Sequence, residues 1–274
     1  MRIIEVRRYR EEAFTLIRIH HLNRFRTFVI SAPLIAVSTV LLATFSLICS
    51  IWDKTGRTQH AAACRWARFL LAVSFVRRRV YGAEKLDPNR SYVLVSNHAS
   101  YMDTPAVLSS IPLQFRFFAK KGLFSIPFLG WFLTRAGHLP VVRGDARASL
   151  KAMSEGARLI RERGISMLLF PEGGRTLERM REFKEGAAYI AIKAGVPIVP
   201  IGLANTRRVL RMHSNIIYPG WIEIRVGDPI PTENLSLSDR GRLNTMLEEQ
   251  VARLAGEPQV EHAPVDDKKE TVKT

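Results

Sequence analysis

The sequence predicts an α/β fold, a mixed, largely parallel sheet flanked by helices, with an N-terminal two-helix membrane motif. Three observations carry that expectation. From residue 91 onward, short β-rich runs alternate with helical patterns. A single long uncharged stretch lies in the first third of the chain, and most of the excess positive charge lies there too.

The 274 residues include 41 Lys and Arg against 25 Asp and Glu, a formal net charge of +16. With 47% hydrophobic and 24% charged residues, the composition excludes a disordered chain. Two cysteines, Cys49 and Cys64, cannot build a disulfide framework, which excludes a stapled extracellular module. The charge calls for an anionic partner, nucleic acid or a phospholipid surface. Residues 1–90 hold 16 Lys and Arg against 6 Asp and Glu, a net +10, whereas residues 91–274 hold 25 against 19, a net +6. The basic residues therefore cluster beside the apolar run.

Residues 1–27 read as a basic arm. Residues 28–52 (FVISAPLIAVSTVLLATFSLICSIW) are uncharged throughout; as a helix they reach roughly 37 Å, enough for a ~30 Å hydrocarbon layer. The run is too long for a secretory signal, and so is the arm before it. Residues 61–76 (AAACRWARFLLAVSFV), closed by Arg77, Arg78 and Arg79, carry Arg65 and Arg68 on one helical face, the pattern of an amphipathic helix lying in the interface. Arg18, Arg24 and Arg26 precede the first run; Lys54, Arg57, Arg65 and Arg68 follow it. With both flanks basic, the positive-inside rule gives no orientation. A shallow hairpin, entering and leaving on one cytoplasmic face beside anionic head groups, is expected over 28–80; a single span and a buried core helix pair are the alternatives.

The α/β domain is expected over 81–255. Strands are predicted at 92–96 (YVLVS), 115–119, 139–142, 166–170 (SMLLF) and 198–203, and helices at 104–110, 146–163 and 184–194. Residues 222–226 (IEIRV) alternate apolar and charged, as in a strand with one wet side at a sheet edge. Residues 243–254 suggest a last amphipathic helix. Residues 256–274, with Pro258, Pro264 and no aromatic, read as a loose tail.

Two constellations leave predicted strands at their carboxyl ends, where open α/β sheets bind ligands. The first is Ser96-Asn97-His98-Ala99-Ser100-Tyr101-Met102-Asp103. Asp103, five residues after His98, is placed to hold one ring nitrogen and leave the other as a base. The plainer alternative has Asp103 capping the helix, Pro105 in its first turn and His98 in a polar loop. The second is Phe170-Pro171-Glu172-Gly173-Gly174-Arg175-Thr176. Its glycines allow close backbone approach, Arg175 offers a planar fork for phosphate and Glu172 can orient that fork. The spacing is not that of a Walker loop, and a tight turn with a solvated Arg is the ordinary explanation.

Together, NHxxxxD (His98, Asp103) and FPEGGRT some seventy residues later resemble the glycerolipid acyltransferases of the 1-acyl-sn-glycerol-3-phosphate acyltransferase type. KKGLFSIPFLGWFLTRAG over 120–137, then Val142-Arg143, is similar to that family's second block, and Val199-Pro200-Ile201 to its fourth. The resemblance covers about 80–230. One position departs from it: Gly174 stands where the family's FPEGTR has Thr, which bears on the acceptor head group.

The resemblance implies an α/β acyltransferase fold, with transfer of a fatty acyl group from acyl-CoA or acyl carrier protein to the sn-2 hydroxyl of 1-acyl-sn-glycerol 3-phosphate, at the cytoplasmic face of the inner membrane. It implies His98 as general base and Asp103 as its orienter, with the substrate hydroxyl where a triad has its serine. There is no GxSxG elbow, and neither cysteine is placed as a nucleophile, so direct transfer is the simpler route. The acceptor phosphate is expected on Arg175, with Lys120 and Arg143 adding charge and Glu172 and Gly173 shaping the site. Lys184 is a weaker candidate, a solvated Lys at a helix start being the plainer reading. Phe124, Ile126, Phe128, Leu129 and Trp131 fit either an acyl-chain slot or core packing. No metal and no cofactor beyond the thioester co-substrate are expected.

Nucleic-acid binding is the rival that the charge invites. The basic residues flank uncharged grease, do not interleave with aromatics, and belong to no recognised module, so no nucleic-acid partner is expected. A non-catalytic basic membrane-binding protein would leave the His98/Asp103 spacing to coincidence. Within the enzyme class, glycerol 3-phosphate or a lyso-ornithine-type lipid is the alternative acceptor.

Overall fold

The computed structural model describes residues 17–142, 144–175, 177 and 179–258. Arg143, Thr176 and the tail beyond 258 lie outside the described residues. Seven strands form one sheet: β1 (Val76–Tyr81), β2 (Val93–Ser96), β3 (Phe115–Lys120), β4 (Leu139–Val141), β5 (Ser166–Leu169), β6 (Ile198–Ala204) and β7 (Gly220–Val226). Their order is β1-β7-β6-β2-β5-β3-β4. Every neighbouring pair is parallel except β6 with β7.

The central strands are apolar throughout because both faces are covered. Leu94, Leu168 and Ile201 point into one core with Leu70, Leu71, Ala106 and Val107. Val93, Val95, Met167 and Leu169 point into the other with Ile160, Ile190, Leu247 and Val251. The first face belongs to α2 (Arg57–Val73) and α3 (Asp103–Ser110), the second to α5 (Ala146–Arg163), α6 (Gly186–Ala194) and α8 (Arg240–Ala255). Between them in sequence fall α4 (Leu129–Arg135) and the one-turn α7 (Thr206–Val209).

The N-terminal helix α1 (Ile17–Cys49) is long and apolar enough to cross a membrane by length and composition. It contains a π-helical segment, Thr27–Ser31, that anchors it to the body: the Thr27 hydroxyl accepts from Ile217 N at 3.1 Å. α1 and α2 form an antiparallel hairpin. Ser31 Oγ donates to Val73 O (2.7 Å), Trp66 Nε1 to Thr39 Oγ1 (2.9 Å) and Gln59 Nε2 to Ser46 O (3.4 Å). Asp53 starts α2 by accepting from Thr55 N and Thr58 N, each at 2.7 Å.

Two local expectations are corrected. Arg77–Arg79 do not close a helix; they lie in β1, which runs beside β7 in the sheet, so α2 ends at Val73 and the α/β layer begins before residue 80. β7 is not an edge, since β1 pairs along its outer side; the face carrying Trp221, Glu223 and Arg225 stays partly exposed. The charged alternation in β7 is met by its neighbour: Arg79 lies over the Trp221 ring, 5.2 Å from Cζ to centroid, and 3.8 Å from Glu223.

Candidate active site

The loops after β2 and β5 part to opposite faces of the sheet, β2 leading to α3 and β5 to α6, and the strands themselves are neighbours. That leaves a crevice at their carboxyl ends. The NHxxxxD loop lines one side and the FPEGG loop the other.

Asn97 fixes the first loop. Its Nδ2 donates to Leu203 O at 3.0 Å, and its Oδ1 accepts from Leu203 N at 2.8 Å, so the side chain continues the β2–β6 pairing by one step. His98 follows at once and is thereby held at the strand end. Its Nδ1 lies 2.9 Å from Asp103 Oδ2. The same oxygen accepts from Ala99 N (2.6 Å) and Ser100 N (2.8 Å). Asp103 is fully buried and begins α3, yet its carboxylate turns back onto the loop and does not cap the helix's own N–H groups. Its second oxygen, Oδ1, is buried without a hydrogen-bond partner among the described residues. A carboxylate so placed accepts a hydrogen bond from Nδ1–H, which leaves the lone pair on Nε2. Phe170 stacks on the imidazole, ring centroids 4.1 Å apart and planes 14° from parallel.

Glu172 ties the two loops together. Oε1 accepts from His98 N (2.6 Å) and Oε2 from Arg181 N (3.0 Å). Burial pushes its carboxyl up to about 7, against the pull of those two donors. Glu172 therefore bonds backbone and is not seen to orient the Arg175 fork. Gly173 has φ 72°, and a β-carbon there would lie 3.1 Å from Lys184 Nζ. Lys184 thus lies against the loop, and its own N–H donates to Pro171 O at 3.1 Å. Arg175 is half-buried, its Cζ 3.9 Å from the centroid of the Tyr101 ring.

Lys120 ends β3, exposed, two strands from β2, and has no hydrogen bond or ion pair to these residues among those described. Arg143 lies outside the described residues. Ile126, Phe128, Leu129 and Trp131 are exposed, and core packing does not account for them; Phe124 is half-buried. Sequence reasoning passed over Tyr101, Phe170 and Asn97, although all three stand inside the two motifs. Their aromatic or amide character was the available signal. What was missing is the pairing across loops seventy residues apart.

Comparison with known proteins agrees with this architecture. The chain is 33% identical over 198 residues to a chloroplastic 1-acyl-sn-glycerol-3-phosphate acyltransferase of Brassica napus, covering 71% of this chain and 57% of that protein. It is 35% identical over 211 residues to one from Chlamydomonas reinhardtii, covering 75% and 61%. The chain thus spans about three fifths of the length of these curated relatives. It shares its fold with the crystal structure of the 1-acyl-sn-glycerophosphate acyltransferase PlsC from Thermotoga maritima, at a TM-score of 0.72 and 23% identity over 85% of this chain and 96% of that one. Residues 77–204, which hold both loops of the crevice, match the acyltransferase family model.

Proposed function

We propose that this protein transfers a fatty acyl group from an acyl-CoA or acyl carrier protein thioester to the sn-2 hydroxyl of 1-acyl-sn-glycerol 3-phosphate, forming phosphatidic acid. The observation that carries this reading is the His98–Asp103 pair: an imidazole at a strand end, its Nδ1 2.9 Å from a fully buried carboxylate. The names of the relatives supply the substrate class.

In this reading, His98 Nε2 takes the proton of the acceptor hydroxyl as its oxygen attacks the thioester carbonyl carbon. The tetrahedral intermediate then expels the thiolate by breaking the C–S bond. The thiolate takes the proton from the imidazolium, leaving ester and free thiol. Asp103 holds the tautomer and stabilises the imidazolium that forms, which is the work of the triad's carboxylate. Proton transfer by a placed group is typically worth ~10²–10⁴-fold. A thiolate is a good leaving group, so no stronger acid than the imidazolium is required.

Arg175 receives the acceptor phosphate, with Tyr101 fixing its plane; Lys120 and Arg143 add charge around it. Glu172 positions the backbone of His98. The α1–α2 hairpin keeps the enzyme on the cytoplasmic face of the membrane, where acceptor and product both reside.

A thiol-release assay of the full chain tests this, using both donor types against lysolipids with and without phosphate. Release with the phosphate-bearing acceptor, abolished in His98→Ala, is the expected result. Turnover with a lyso-aminolipid and none with lysophosphatidic acid would transfer the reading to that acceptor, in keeping with Gly174. An undiminished rate in His98→Ala would remove the imidazole from the mechanism.

A further inference from the structure

A second cleft opens at the opposite end of the sheet. Gln114 immediately precedes β3, and Gly164 and Ile165 precede β5, so these residues stand at the amino ends of two neighbouring strands. The His98 crevice lies at the carboxyl ends, a strand length away, on the order of 13 Å for four residues. The turn between α1 and α2 supplies Lys54 and Thr55, the first residue of α2 is Arg57, and the end of α5 supplies Arg163. The cleft is open to solvent on one side and has a volume of about 330 Å³.

Arg116 lines the cleft and is 1% exposed. Its Nη1 donates to Phe115 O (2.9 Å) and Gln114 Oε1 (3.2 Å), and its Nη2 to Thr55 O (3.1 Å). Its Nε is buried without a hydrogen-bond partner among the described residues. Gly56 lets the turn close onto this group: a β-carbon there would lie 3.0 Å from Nη2 and 2.8 Å from Ala136 O. Lys54, Arg57 and Arg163 are exposed around the buried guanidinium.

The lining holds four cationic side chains and no carboxylate. None of the four has a carboxylate within ion-pair distance among the described residues. The nearby Asp53 favours the charged guanidinium, but its oxygens are engaged by Thr55 N, Thr55 Oγ1 and Thr58 N. Burial above all, with Arg163 and Arg57 beside it, lowers the Arg116 pKa to about 10 against the pull of Asp53. Burying a cation beside like charges is unfavourable unless an anion joins them.

We propose that this cleft binds a phosphate group, distinct from the acceptor phosphate of the reaction. A buried guanidinium whose Nε–H has no partner among the described residues, beneath three exposed cations, suits a tetrahedral oxyanion. The phosphate has two conceivable sources, an anionic phospholipid head group or a soluble phosphate compound. The surroundings favour the lipid. Trp52, 74% exposed, and Ile51 stand two and three residues before Lys54, where the apolar run of α1 ends. Exposed Trp at the end of an apolar segment marks the depth of lipid head groups.

The test uses the full chain in neutral detergent, with Arg175→Ala throughout to silence the acceptor pocket. Inorganic phosphate is titrated calorimetrically against that background and against the added triple change Lys54→Ala, Arg57→Ala and Arg163→Ala. The dissociation constant is expected to rise at least tenfold in the alanine triple. It should stay within threefold in the charge-keeping triple Lys54→Arg, Arg57→Lys and Arg163→Lys. Thermal melts confirm that each variant is folded, and if the alanine triple is not, Arg163→Gln alone should raise the constant at least threefold. Flotation with phosphatidylcholine vesicles, with and without phosphatidylglycerol, separates the sources. Loss of at least fivefold preference for the anionic vesicles identifies a lipid head group; unchanged preference with weakened phosphate binding identifies a soluble phosphate compound. No saturable phosphate binding, or binding equal in the parent and the neutralised variant, overturns the proposal.

Discussion

The guanidinium of Arg175 lies over the ring of Tyr101, Cζ 3.9 Å from the centroid, and so joins the FPEGG loop to the NHxxxxD loop two residues before Asp103. A cation over a phenol ring is worth about 0.5–2 kcal/mol. It also limits the rotation of a long side chain that must present its fork in one plane. Tyr101→Leu should therefore raise KM for the phosphate-bearing acceptor on the order of 2- to 30-fold, that energy converted at ~1.4 kcal/mol per tenfold. The KM for the thioester should move far less. Tyr101→Phe keeps the π face and should stay near the parent enzyme. Steady-state kinetics with each substrate varied in turn decide it; an equal rise for both substrates would take this pair out of the acceptor site.

Asp103 gathers three donors on one oxygen, His98 Nδ1 and the N–H groups of Ala99 and Ser100. An amide can still accept there, but it carries no charge to stabilise the imidazolium. Asp103→Asn should thus keep the fold while lowering kcat about 10²–10⁴-fold. KM values should change little. Single-turnover thiol release, with circular dichroism as the folding control, measures both. Retention of more than a tenth of the parent kcat would mean that the carboxylate is only a loop brace.

The strand and helix pattern was legible because the central strands are apolar on both faces and the helices carry a 3.6-residue period. β1 was not, since three arginines interrupt its VRRRVY run and leave only Val76 and Val80 to face the core; pairing with β7 makes it a strand. His98 and Asp103 were legible from spacing along one loop. The contacts of Glu172 with His98 N and of Arg175 with Tyr101 were not, because each joins residues about seventy positions apart through the adjacency of β2 and β5. A local sequence pattern cannot state which strands are neighbours.

Glu172 makes stability depend on pH with a definite sign. Burial raises its carboxyl from the usual 4.5 to about 7, so the folded state holds a proton that the unfolded chain releases. Its contribution is fully present below pH 4.5 and is lost as pH rises to about 7, on the order of 3 kcal/mol in all. His138 runs the other way. Burial lowers its pKa to about 3, and its Nδ1 accepts from Phe117 N at 3.0 Å, so its contribution is present above 6.5 and lost as pH falls. The parent curve therefore blends two slopes, and the informative quantity is its difference from Glu172→Gln. That difference should fall steadily from pH 4.5 to 7 in denaturant titrations. A difference flat across this window would mean that Glu172 is ionised throughout.

The hairpin's two helices have different duties, which determines how membrane binding should be tested. α2 buries Ala67, Leu70 and Leu71 in the core beside α3, so removing the N-terminal third would strip a layer from the sheet and lose fold and binding together. α1 is the separable surface: Val37 is 57% and Leu41 65% exposed, one helical turn apart on the same side. Lysine at these two positions should alter folding stability by no more than about 0.5 kcal/mol each, as exposed substitutions do. In an apolar bilayer segment, each Lys costs about 3 kcal/mol, less near the surface where its amine can reach water. Val37→Lys with Leu41→Lys should then lower partition into phosphatidylcholine vesicles at least tenfold, with an unchanged melting temperature in detergent. Leu70→Lys, in contrast, should lower that melting temperature sharply. Vesicle binding that survives the double lysine change would assign the membrane contact to another surface, for which exposed Ile126, Phe128 and Trp131 are the next to be changed.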